Sequence, residues 1–65
     1  MPHIILRLPT VIERTGLSRS TLYLLISRTE FPSQVQLGTR SVGWVESEVQ
    51  AWLEGRITQG RKAKP

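Results

Sequence analysis

Gly16 constrains this chain more than any other residue, because one helical pattern runs into it and a second starts just behind it. Leu8, Val11, Ile12 and Thr15 follow the i, i+3, i+4, i+7 spacing of a single helical face. A glycine placed next tolerates the positive φ at which a helix stops. Ser18 then offers a side-chain oxygen to the free N–H groups of a new first turn, so the sequence predicts a capped second helix over residues 19–28. Two short helices joined by a tight glycine turn, the second opening on small polar residues, form the pattern of a helix-turn-helix. In that unit the second helix lies in the major groove of DNA with its N-terminal residues at base edges.

The size of the chain limits what can surround this unit. At 65 residues it is one small domain, near the lower size at which a single core is self-sufficient, without room for a catalytic cavity and a scaffold around it. Size therefore argues against an enzyme. Nine Lys and Arg against five Asp and Glu give a formal charge of +4 and a pI near 10.8, which favours polyanionic partners. Cysteine is absent, so neither disulfides nor thiolate metal sites contribute. His3 is the one histidine and a metal site needs further His or Cys ligands, so no metal or other cofactor is expected. The segment from Met1 to Arg7 has too short an apolar run for a signal peptide, and no run approaches the ~18 apolar residues needed to span a membrane. A cytoplasmic protein, associated with the nucleoid when bound to DNA, is the expectation.

Along the chain, Ile4, Ile5 and Leu6 read as an extended lead-in, and Pro9 suits the first turn of the first helix. On a wheel of 100° per residue the second helix sets Leu22, Leu25 and Ile26 on one face and Ser20, Tyr23, Leu24 and Ser27 on the other, with Arg19 and Thr21 on the flanks. Phe31-Pro32 is expected to close it, since a residue before proline is pushed out of the helical region. Residues 34–37 and 42–45 read as two brief strands around a turn that carries Arg40, a β-hairpin wing. Glu46 and Glu48 complement the positive end of a third helix, and Val49, Trp52, Leu53 and Ile57 supply its apolar stripe. That helix is expected to fold back over the other two. The predicted fold is mainly α with a small β-hairpin: a winged helix-turn-helix of three helices plus wing over residues 1–59, then a disordered basic tail over 60–65.

The candidate DNA-binding residues are Ser18, Arg19, Ser20, Thr21, Tyr23, Leu24 and Arg40. Ser18, Ser20 and Thr21 can hydrogen-bond phosphates or bases beside the free N–H groups of the helix start, and Ser18 also serves as cap. Arg19 is placed to reach a guanine edge or a phosphate, and Tyr23 can offer its phenol to a phosphate or pack on the wing. Arg40 at the hairpin tip suits a phosphate or a narrow minor groove. Arg14, Arg28, Arg61, Lys62 and Lys64 add nonspecific, salt-sensitive attraction. Trp44 and Trp52 lie on apolar patterns and read as core aromatics.

Several short motifs occur together and in order: Arg7-Leu8-Pro9, the run from Arg14 through Gly16-Leu17-Ser18 to Tyr23, Phe31-Pro32, Leu37-Gly38, Arg40-Ser41-Val42-Gly43-Trp44, and Glu48-Val49 with Ala51-Trp52-Leu53. Together they closely resemble the AlpA family of prophage-associated regulators, over residues 7–56. The resemblance implies a compact relative of the MerR-type winged helix and of phage excisionases, and a sequence-specific DNA-binding regulator of prophage or integrated-element genes. Leu24 stands where many members of that family carry a basic residue after the tyrosine. Its alternatives are apolar contact with a thymine methyl group, contact with a protein, or a plain surface leucine.

Double-stranded DNA is the expected partner, with an integrase or a second copy on adjacent sites as further candidates and no membrane. Two other readings stand beside a transcription regulator. One is an excisionase, or recombination directionality factor, that bends attachment-site DNA, because bending and promoter binding use the same phosphate contacts. The other is a protein-interaction module in which Leu24 and a helix face dock on a partner and the basic charge is incidental.

Overall fold

The computed structural model describes residues 3–62. Its elements run β1 (Ile5–Leu6), α1 (Leu8–Thr15), α2 (Arg19–Ser27), β2 (Val35–Gln36), β3 (Val42–Val45) and α3 (Glu46–Lys62). Three helices and a small antiparallel sheet match the expected winged helix-turn-helix.

Gly16 ends α1 as its spacing predicts, at φ 73° in the left-handed region, with its N–H on the Ile12 carbonyl at 2.8 Å. Thr15 tightens the same corner. Its hydroxyl donates to the Val11 carbonyl at 2.8 Å and accepts the N–H of Leu17 at 3.3 Å, so the chain leaves α1 along a fixed path. Ser18 starts α2 in extended geometry and accepts the N–H of Thr21 at 3.2 Å.

The end of α2 differs from expectation. The helix stops at Ser27, ahead of Phe31-Pro32, in a paired motif: the N–H of Thr29 donates to the Ile26 carbonyl at 3.0 Å and that of Glu30 to the Leu25 carbonyl at 2.8 Å. These are the two bonds of a Schellman cap, and Thr29 takes the left-handed position at φ 56° where glycine is usual. The proline restriction acts only on Phe31, by which point the helix is already over.

The lead-in at residues 4–6 is more than a connector. β1 pairs with β3, and the sheet order is β1-β3-β2, with Ile5 opposite Val45, Leu6 opposite Trp44, Val35 opposite Gly43 and Gln36 opposite Val42. The wing is thereby fastened to the start of the chain. Gly43 makes this closure possible. A Cβ there would run into Ile5 Cγ2 and sit 3.1 Å from both Leu37 Cδ1 and the Leu6 carbonyl, so a bare backbone lets the side chains of Ile5 and of Leu37, just past β2, fold over β3.

Leu6, Val11, Leu22, Phe31, Trp44 and Val49 form the buried core. Each of β1, α1, α2, β3 and α3 supplies one of them, and the turn after α2 supplies Phe31. Trp44 is fully buried and donates its indole N–H to the Pro32 carbonyl at 3.1 Å, so its one polar atom is satisfied. Trp52 is half-buried, edge-on to Phe31 at 4.8 Å. The core roles expected for both tryptophans stand.

The apolar stripe of α3 is shorter than its spacing suggested, because Ile57 is 53% exposed and every residue over 54–61 is exposed. After Leu53 the helix has passed the edge of the small core, and among the described residues nothing covers it. The expected boundary at 59/60 falls inside α3, which continues through Gly60 and Arg61 to Lys62. Residues 63–65 of the expected tail lie outside the described residues.

Candidate nucleic-acid interface

The side chains at the start of α2 divide into two kinds. Ser18 and Thr21 are turned toward each other. Besides accepting the Thr21 N–H, the Ser18 hydroxyl donates to Thr21 Oγ1 at 2.9 Å, so both hydroxyls serve the cap. Thr21, expected on a flank of the helix, is exposed. Arg19 and Ser20 are exposed as well, and among the described residues neither side chain has a hydrogen-bond or ion-pair partner. Leu24, one turn after Ser20 on the same face, is 47% exposed. Ser27 ends that face with its hydroxyl folded back on the Leu24 carbonyl at 2.7 Å.

Tyr23 is placed differently from its position on the wheel. It is half-buried, with its ring edge-on to Trp44 at a centroid distance of 6.4 Å and an interplanar angle of 62°. The wheel treats the core as one stripe, whereas the indole of Trp44 reaches Tyr23 from β3 and widens the covered arc by one residue. Tyr23 therefore rims the outward face and ties it to the wing.

Arg40 sits in the exposed loop between β2 and β3. The base of that loop is closed by the Ser41 carbonyl, which accepts the N–H of Leu37 at 2.7 Å and that of Gly38 at 3.3 Å. Above it, Gln36 Nε2 donates to the Gly38 carbonyl at 2.6 Å and approaches the Thr39 carbonyl at 3.4 Å. The sequence offered no sign of this role for Gln36, because a polar residue on a half-exposed strand is what simple alternation produces anyway.

Charge is segregated around these elements. The five acids are Glu13, Glu30, Glu46, Glu48 and Glu54, so residues 14–29 and 31–45, which hold α2 and the wing, contain none. The first turn of α2 also lacks acids, leaving the partial positive charge of its N–H groups unopposed. Two basic groups are occupied elsewhere. Arg14 pairs with Glu46 at 3.0 Å, joining the end of α1 to the start of α3, and the Arg56 guanidinium lies over the Trp52 ring at 5.1 Å. Arg14 thus acts as a strut between helices, where the sequence placed it among diffuse attractive charges. Arg7, Arg19, Arg28 and Arg40 have no carboxylate partner among the described residues. Among those residues, too, no group of three or more metal-ligating side chains gathers, and no helix is long and apolar enough to cross a membrane.

Two short helices meeting at a left-handed glycine, a hairpin wing fastened to the N-terminal strand, and a closing helix define a winged helix-turn-helix domain. The model of the family described as Prophage CP4-57 regulatory protein (AlpA) matches residues 4–57, and the chain belongs to this family. It is 58% identical over 57 residues to ORF88 of Enterobacteria phage P4, covering 88% of this chain and 64% of that protein. It is 43% identical over 58 residues to the DNA-binding transcriptional activator AlpA of Escherichia coli (strain K12), covering 80% of this chain and 83% of that one.

Proposed function

We propose that this chain is a sequence-specific DNA-binding transcriptional regulator of a prophage or integrated element. Arg19, Ser20 and Leu24 on α2 enter the major groove, and Arg40 on the wing meets the sugar-phosphate backbone or the adjacent minor groove. The observation that carries this reading is the acid-free face of α2, whose Arg19 and Ser20 side chains have no partner among the described residues while their neighbours Ser18 and Thr21 hold the helix start in place. Arg19 can grip a guanine through two parallel hydrogen bonds, and Leu24 can rest on a thymine methyl group. Ser18 and Thr21 act through the backbone, presenting the free N–H groups of the first turn to a phosphate. Tyr23 stands at the rim and offers its phenol to the backbone. The similarity to the E. coli DNA-binding transcriptional activator supports the same reading.

A fluorescence-anisotropy titration against DNA from upstream of its own locus, with a shuffled probe as control and at two salt concentrations, tests it. Binding that prefers the upstream probe and persists as salt rises is expected. Equal, salt-labile binding to both probes would leave only nonspecific attraction of a basic chain. Footprinting then locates the site, at a promoter for a regulator or between attachment arms for an excisionase.

A further inference from the structure

The wing tip is a short exposed loop, 38–40, with a glycine at its start. Its backbone closure lies at its base, where one carbonyl, that of Ser41, serves the N–H groups of Leu37 and Gly38. The carbonyls of Gly38 and Thr39 are met instead by a side chain, since Gln36 reaches up from β2 and directs its amide nitrogen at both. The orientation of that amide follows from its surroundings. Both neighbours are carbonyl oxygens, which only accept, so the NH2 end must face them and the oxygen must face away.

We infer that Gln36 is a positioning residue for Arg40, holding the wing tip in its DNA-binding conformation before DNA arrives; this rests on the reading that Arg40 contacts DNA. A loop of three exposed residues led by glycine would otherwise sample many conformations, and binding would have to select one. Fixing the tip during folding removes that cost from the binding step, as preorganisation does in general. Because Gln36 is itself exposed, its hydrogen bonds compete with water and its effect on overall stability is small.

The test is a double-mutant cycle on the whole chain, using Gln36→Met, which keeps the length of the side chain and removes the donor. Its readouts are affinity for the upstream probe, the thermal midpoint, and backbone 15N order parameters over residues 38–40. In the wild-type background Gln36→Met is expected to weaken binding by about three- to tenfold with the midpoint nearly unchanged and the order parameters of the tip lowered. In an Arg40→Ala background the same change is expected to cost nothing further. If Arg40→Ala binds as well as wild type, the wing reading fails and takes this inference with it. If Arg40→Ala weakens binding but Gln36→Met does not, or costs as much without Arg40 as with it, the wing reading survives and the positioning role is overturned.

Discussion

The indole N–H of Trp52 donates to the carbonyl of Glu30 at 2.7 Å, a bond between residues 22 apart that fixes α3 to the turn where α2 ends. Phe31 packs edge-on to the same indole, so polar and apolar contacts share one joint. Trp52→Phe keeps a ring there and deletes the donor. It is expected to destabilise the domain by about 1 kcal/mol, a net hydrogen bond, with water taking over at the Glu30 carbonyl. For a chain of this size that corresponds to a fall of about 4–8 °C in the thermal midpoint. Urea denaturation followed by circular dichroism measures it, and a variant as stable as wild type would show that the bond adds nothing beyond what water supplies.

Gly43→Ala forces a methyl group between strands that already meet over the bare backbone. The nearest obstacle is the branch carbon of Ile5, which cannot swing away without changing the rotamer of a β-branched side chain. A loss of about 1–3 kcal/mol is expected, the usual cost of overpacking. Ile5→Ala in the same chain removes the obstructing carbon, so the double variant should lose less than the two single losses together. Strict additivity would place the strain elsewhere.

Thr29 occupies a left-handed position with a β-branched side chain, at φ 56°. Asparagine adopts that region more readily and still accommodates the two Schellman hydrogen bonds. Thr29→Asn is therefore expected to stabilise the domain by about 0.5–1 kcal/mol. A drop in the unfolding midpoint would mean that the threonine side chain supplies something its backbone geometry conceals.

The start of α2 separates affinity from stability. Arg19→Ala and Ser20→Ala should lower affinity for the specific probe, Arg19→Ala by about 1–3 kcal/mol if it grips a guanine, with the thermal midpoint hardly moved. Ser18→Ala should do the opposite first, costing about 0.5–2 kcal/mol of stability through the lost cap. Melting curves and anisotropy titrations on the same three variants decide the matter. Unchanged binding in both Arg19→Ala and Ser20→Ala would remove these residues from the interface.

What was legible in the chain beforehand was local. The spacing of Leu8, Val11, Ile12 and Thr15, the stop at Gly16 and the cap at Ser18 are all decided within a few residues, and each appears in the structure as read. The hairpin was visible for the same reason. The departures involve partners distant in sequence or side chains that betray their role only in three dimensions. Pairing of β1 with β3 joins residues some forty positions apart, so Ile5 and Leu6 look like a connector until Val45 and Trp44 arrive. Tyr23 lies at the rim of the outward face because the Trp44 ring, brought in from β3, packs against it where helical periodicity cannot see it. Ile57 kept the spacing of a core residue but lies past the edge of the core. Of the seven residues the sequence proposed for the interface, the fold leaves Arg19, Ser20 and Leu24 exposed on α2 and Arg40 on the wing loop, while Ser18 and Thr21 close on each other at the cap and Tyr23 packs on Trp44. The sequence held no hint that Gln36 would brace the wing, since a strand glutamine has no distinctive pattern.

The core takes one buried side chain from each of β1, α1, α2, β3 and α3, and this arrangement governs how the domain comes apart. None of its helices or strands encloses an interior of its own. Detaching α3 uncovers Trp44 and the turn at Glu30, and detaching β1 opens the sheet beside the same tryptophan. Loosening one member thus withdraws support from all the others, and a half-assembled form that keeps the helix pair while shedding the wing has nothing to hold it together. Hydrogen exchange should therefore find the slow amides of α1, α2 and β3 opening together with one common free energy, in a single concerted event.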